Sequence, residues 1–181
     1  MTREELAHIL RAAAQIANDS DILVIGSQSI LGTFSEDDLP PAAHGSIEAD
    51  IAFFDDPDER KADHVDGAIG EASLFHEQFG IYAQGASLRT AVLPAGWRDR
   101  LVSYDRYDAK PSAARCLEAH DLVISKLVVG REKDLLFARV LVDAGLISCE
   151  ILRERADALD VVQAVRRRVM RYIDGLDVHP A

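Results

Sequence analysis

Apolar residues Leu6, Ile9, Leu10, Ala13, Ile16 and Ala17 fall on one face of a helix. Thr2 and Glu5 stand before them at capping-box spacing, so a helix is expected over residues 3–17, ended by Asn18-Asp19-Ser20. Residues 21–25 (DILVI) read as a buried strand, followed at once by Gly26-Ser27. One helical turn is expected over 28–31, stopped by Gly32, and then a surface loop over 33–45. Residues 47–54 (IEADIAFF) read as the next strand, with Ile47, Ala49, Ile51 and Phe53 on one face and Glu48, Asp50, Ala52 and Phe54 on the other. A helix from about Asp58 to Phe79 would bury Val65, Ile69, Ala72, Phe75 and Phe79.

Three further strands are expected, over 80–84, 90–93 and 101–104, with a turn at Pro94-Ala95-Gly96 and a break at Pro111. Beyond Cys116-Leu117 the pattern is helical: about 120–129, then from near Arg131 to Gly145, then an interrupted region over 150–173. This order predicts an α/β (α+β) fold: a mixed β-sheet flanked by helices, with C-terminal helices. It divides the chain into an α/β core (residues 1–116) and a helical region (117–181) packed on it as one compact unit.

Composition narrows the function classes. The 181 residues hold 48% hydrophobic and 28% charged side chains, ordinary for a globular domain that needs no disulfides or metal staples. A formal net charge of -11 repels polyphosphate backbones, so bulk nucleic-acid binding is not expected, although a local basic pocket for one nucleotide is compatible with it. Cys116 and Cys149 form no metal-type spacing and read as buried, reduced thiols, which fits a cytoplasmic setting. The N-terminus has no apolar signal core, and no uncharged run approaches the roughly 20 residues that cross a bilayer.

Three constellations carry candidate chemistry. Glu48 and Asp50, at i and i+2 of a strand, project from one face roughly 6.6 Å apart. They are either an exposed polar strand face or a pair that holds a hard divalent cation. Gly26-Ser27 is either an ordinary turn or a place where phosphate approaches the backbone and a hydroxyl. Lys126, Arg131 and Lys133 are either a solvated, salt-bridged helix surface or contacts to a triphosphate. The six histidines make no metal-binding spacing and take surface or packing roles. Arg166, Arg167, Arg168 and Arg171 read as a solvated helix face, and Trp97 as a packing anchor.

The segments VIGSQSILG, SIEADIAFF, AVLPAGWRDRLV and LEAHDLVISKLVVGREKDLLFARVLVDAGLI resemble a family of bacterial nucleotidyltransferase-like proteins of unassigned function, distantly related to AbiEii-type toxins and the polymerase-β nucleotidyltransferase superfamily. The resemblance covers about residues 5–150. It implies that Gly26 and Ser27 hold a triphosphate, that Glu48 and Asp50 bind Mg²⁺ or Mn²⁺ as the catalytic carboxylates, and that Lys126, Arg131 and Lys133 contact phosphate or substrate. In two-metal form, one ion would activate the acceptor hydroxyl and the other would steady the leaving pyrophosphate.

The chain departs from the superfamily pattern at two places. The first acid of the usual Asp-x-Asp pair is Glu48. The third carboxylate, which the superfamily carries on a neighbouring strand, has no counterpart in residues 80–84; Asp105 and Asp108 follow the strand expected over 101–104. The resemblance therefore implies a metal-dependent enzyme that moves a nucleoside monophosphate from an NTP to a protein, RNA or small-molecule acceptor. The alternatives are a catalytically decayed nucleotide-binding or protein-interaction module, as in a toxin-antitoxin system, and a scaffold that meets a protein partner through its arginine-bearing last helix.

Overall fold

A computed structural model describes residues 1–104 and 113–178. The expected break at Pro111, the acids Asp105 and Asp108, and His179 lie outside these. Helix α1 (Arg3–Ala17) forms as expected: Glu5 N donates to Thr2 Oγ1 (3.2 Å) and Thr2 N to Glu5 Oε2 (2.7 Å), closing the capping box. Leu6, Ile9, Leu10 and Ala13 are buried.

Five strands make one mixed sheet in the order β3-β2-β1-β5-β4. They are β1 (Ile22–Val24), β2 (Glu48–Phe53), β3 (Tyr82–Gly85), β4 (Val102–Ser103) and β5 (Arg115–Cys116). β1 is central, antiparallel to β2 and parallel to β5. β2 and β3 are parallel, with Glu48 opposite Tyr82 and Asp50 opposite Gln84. Among the described residues nine α-helices accompany this sheet, with α1, α2, α4 and α5 packed on its strands, so the fold is α/β as expected.

After β1 comes a 3₁₀ turn (Ser27–Ser29) that runs into α2 (Ile30–Thr33). Gly32 does not stop this helix: it lies within it, where an added Cβ would stand 2.5 Å from Cys116 Cβ on β5. The expected loop over 33–45 contains a short α3 (Pro41–His44), started by proline at its first helical position. The single helix expected to Phe79 is two, α4 (Arg60–Ile69) and α5 (Leu74–Phe79). An added Cβ at Gly70 would meet Asp66 O at 2.1 Å, so the chain departs there and the helical phase is reset. Ala72, in the turn between α4 and α5, and Phe79, at the end of α5, are exposed rather than buried.

No strand forms over 90–93. Ser87 Oγ accepts from Arg89 N (3.3 Å) and Thr90 Oγ1 donates to Ser87 O (2.7 Å). These local bonds favour a 3₁₀ turn (Leu88–Thr90) over a ladder. The strand reading also missed β5, whose two residues carry no periodicity although they lie next to β1.

The C-terminal helices are α6 (Ala119–Val129), α7 (Glu132–Asp143), α8 (Cys149–Asp157) and α9 (Gln163–Asp177). Helix α6 contacts α7, α8 and α9, and α2 joins it to β5. Glu118 caps α6 by accepting from His120 N (3.0 Å) and Asp121 N (3.2 Å). Asp121 is fully buried, held by Arg100 Nε (2.8 Å) and its terminal nitrogen (3.0 Å), with Arg155 Nε at 3.3 Å from the same carboxylate.

Two arginines of the expected solvated stripe turn inward. Arg166 donates to Leu159 O (2.5 Å), in the link after α8, and Arg168 to Val128 O (2.6 Å), a last-turn carbonyl of α6 that lacks an intrahelical donor. Arg167 and Arg171 are exposed. Trp97 packs against the core as expected. Both cysteines are free and buried, and burial pushes the Cys116 thiol up to about 12.

A candidate nucleotide and cation cleft

The four residues Gly26 to Ser29, just beyond β1, each make a different long-range attachment. Gly26 lets the Asp50 carboxylate close on the backbone: an added Cβ would fall 1.5 Å from Asp50 Oδ2. Ser27 Oγ accepts from Lys126 Nζ at 2.9 Å. Gln28 is fully buried and its Nε2 donates to Ser46 O (3.1 Å) and His44 O (3.3 Å), which fixes the entry to β2. Ser29 Oγ accepts from Leu117 N at 2.6 Å, which fixes the entry to α6. A short GSQS sequence thus sets the position of β2 on one side and α6 on the other.

On β2 the two acids share the cleft side. Asp50 is half-buried, and burial raises its pKa, with the neighbouring Glu48 charge adding to the effect. Glu48 Oε2 accepts from the Tyr82 hydroxyl at 2.8 Å. That bond pushes the Tyr82 phenol up to about 12. Gln84 stands beside Asp50 in the ladder, an amide on the neighbouring strand. Among the described residues no cluster of three or more acids, histidines or cysteines is arranged to hold a metal ion.

The opposite wall is cationic. Lys126 is largely buried, with its Nζ 3.6 Å from Asp134 Oδ1 and 4.8 Å from the Phe137 ring centroid. Burial lowers its pKa against the attraction of Asp134 and Asp50. Arg131 grips the fully buried Asp134 through Nε (2.7 Å) and a terminal nitrogen (3.2 Å), yet its side chain is 57% exposed and available to a ligand. Burial of Asp134 works to raise its pKa, but the Arg131 hydrogen bonds and the Lys126 charge outweigh this and hold it below the usual carboxylate range.

All seven candidate residues, Gly26, Ser27, Glu48, Asp50, Lys126, Arg131 and Lys133, line one cleft of about 490 Å³, with Ser46, Gln84, Thr90 and Ser125 among the others. That size suits a small-molecule ligand. Sequence reading missed Gln84 as a lining residue, and Tyr82 and Asp134 as the partners that hold the lining residues Glu48, Lys126 and Arg131. Only strand register brings the first two to the acids. Asp134 carried a signal only toward Arg131, which stands three residues before it at helix-pair spacing; its approach to Lys126 depends on how the two helices pack.

The family described as "Nucleotidyltransferase of unknown function (DUF6036)" matches residues 4–174. The chain belongs to this family. It matches no curated protein and no solved structure. Membership therefore supplies the reaction class of the family's description, while the roles of individual residues rest on the geometry above. Among the described residues no helix is long and apolar enough to cross a membrane.

Proposed function

We propose that this nucleotidyltransferase-family protein binds an NTP in the cleft between β2 and α6 and transfers its nucleoside monophosphate to an acceptor hydroxyl. The acceptor oxygen forms a bond to the α-phosphorus as its proton passes to solvent, the bond from that phosphorus to the oxygen bridging it to the β-phosphorus breaks, and pyrophosphate takes the electron pair and leaves. The observation that carries the reading is the fit of Asp50 against Gly26, which sets a half-buried carboxylate beside a phosphate-type turn and across from Lys126.

The residues present fit a divalent cation. Glu48 and Asp50 lie on one strand face, and burial leaves Asp50 short of counter-charge. Mg²⁺ is commonly held by one or two carboxylates plus substrate phosphates, so the donor set suffices without a third acid. When bound, such an ion neutralises phosphate charge and polarises the group being transferred. Lys126 would meet the phosphates from the buried side, since it already holds Ser27, and Arg131 and Lys133 from the mouth of the cleft. Asp134 keeps Lys126 and Arg131 oriented.

A second reading, nucleotide binding without transfer, is favoured by Gln84, an amide beside Asp50 where a third carboxylate would strengthen the cation site. Thermal melting with each NTP, with and without Mg²⁺, tests the proposal, because a ligand that binds only the native state raises the melting temperature. Transfer requires a Mg²⁺-dependent rise that Asp50→Ala abolishes, and a labelled acceptor when the protein is incubated with radiolabelled NTP and cell extract. A rise that persists in Asp50→Ala, with no labelled acceptor, supports the second reading. No rise with any nucleotide overturns both.

A further inference from the structure

Glu48 has a partner that the transfer scheme does not use. It faces Tyr82 across the parallel β2–β3 ladder, and the phenol donates to its Oε2 at 2.8 Å. The tyrosine is itself braced. Its backbone N donates to Ile47 O (3.0 Å), and the His76 ring lies against it with centroids 4.7 Å apart. His76 Nδ1 in turn accepts from Ala72 N at 3.1 Å. The hydroxyl is therefore presented from a fixed ring.

The two acids differ in what holds them. Asp50 is short and wedged against Gly26. Glu48 has one more rotatable bond, and nothing on its own strand restricts it in the same way. A ligand carboxylate left free to rotate loses entropy when it takes a cation, whereas one oriented by an outer hydrogen bond does not. The phenol occupies one Glu48 oxygen and leaves Oε1 available.

We propose that Tyr82 is a positioning residue: its hydroxyl orients the Glu48 carboxylate beside Asp50 and thereby sets the affinity of the pair for a divalent cation. This compensates for glutamate at a place where a shorter acid would need no such brace. The proposal rests on the reading of Glu48 and Asp50 as the cation pair.

The test is titration of the full chain with Mn²⁺ alone, without nucleotide, followed by calorimetry and by the paramagnetic resonance signal of free Mn²⁺. The proteins are wild type, Tyr82→Phe, Glu48→Asp, the double variant and Asp50→Ala. Phenylalanine keeps the ring on His76, so the fold is retained and melting curves verify it. Tyr82→Phe should weaken Mn²⁺ binding about tenfold, the lower end of what outer-sphere partners contribute. Aspartate is too short to reach the phenol. On the Glu48→Asp background the same change should therefore alter affinity by no more than about twofold, the scatter of independent sites.

Equal affinity of wild type and Tyr82→Phe, or an equal loss on both backgrounds, overturns the proposal. A general packing role would give the second result. Asp50→Ala separates this failure from that of the underlying reading. If it abolishes Mn²⁺ binding while Tyr82→Phe leaves it unchanged, only the role of Tyr82 falls. If wild type binds no Mn²⁺ without nucleotide, the role of Tyr82 falls while the nucleotide-dependent melting shift still decides the cation pair; if Asp50→Ala binds Mn²⁺ as wild type does, the cation pair falls and the role of Tyr82 with it.

Discussion

Asp50 fills the space that any side chain at Gly26 would need, with its Oδ2 1.5 Å from where a Cβ would stand. An overlap of that depth cannot be absorbed in place, so Gly26→Ala must push the carboxylate away from the turn. Asp50 is half-buried and flexible enough to move, so the expected stability loss is modest, about 1–3 kcal/mol as for other overpacked sites. The functional loss should be large. Nucleotide transfer should fall by about 100-fold or more, in line with the penalty for displacing a catalytic group by about 1 Å. Steady-state kinetics alongside thermal melting would separate the two effects.

The raised pKa of Asp50 has a consequence for the ligand-free protein. The folded state holds the proton of Asp50 more tightly than the unfolded chain, whose ordinary value is 3.8. Asp50 therefore costs nothing below that pH and destabilises the fold increasingly as pH rises through its raised value. Asp50→Asn should raise the melting temperature at pH 7. That gain should vanish near pH 3.5, roughly where the wild-type carboxyl is protonated in both states. Melting curves over pH 3.5–8 would check the sign; a gain largest at the acid end would refute it.

Two buried aspartates should respond differently. Asp121 is held by Arg100 and faces Arg155, and their side chains are only 22% and 25% exposed. Asp121→Ala leaves those charges poorly solvated and should cost about 3–5 kcal/mol, with nucleotide affinity of the folded protein unchanged. Asp134 is paired with Arg131, which can turn to water. Asp134→Asn should cost less stability but weaken NTP binding about tenfold, because Lys126 and Arg131 lose their common anchor. Denaturant titration and equilibrium binding on the same samples would distinguish them.

Gln84 offers a gain-of-function test. Gln84→Asp would put a third carboxylate next to Asp50 in the ladder. Without a divalent cation the added charge should lower the melting temperature. With saturating Mg²⁺ it should recover and exceed the wild-type response, because ligand charge raises affinity for hard cations. Melting at a series of Mg²⁺ concentrations reads both arms.

The parts of this architecture that were legible in the sequence are those with a local cause. The capping box of Thr2 and Glu5 fixed α1, and alternation over residues 47–54 placed Glu48 and Asp50 together. Lys126, Arg131 and Lys133 joined them through the resemblance rather than through spacing. What stayed hidden depends on contacts between distant segments. Gln84 and Tyr82 reach the acids only through parallel register, and β5 is a strand only because β1 lies beside it. Ala72 was expected on a helix's buried side, but α4 ends before Gly70 and Ala72 falls in the turn that follows, outside both helices. Arg166 and Arg168 read as solvent-facing because the carbonyls they cap belong to Leu159 and Val128, whose free oxygens no periodicity reveals.

The cleft has one rim from β2 and the other from α6 and the start of α7, so its two sides come from opposite halves of the chain. Whatever the cleft grips must act as a clasp between early and late segments. Deuterium uptake should then slow together at β2 and at the bend around Gly130, although neither sequence stretch is near the other. Loosening either side should release both.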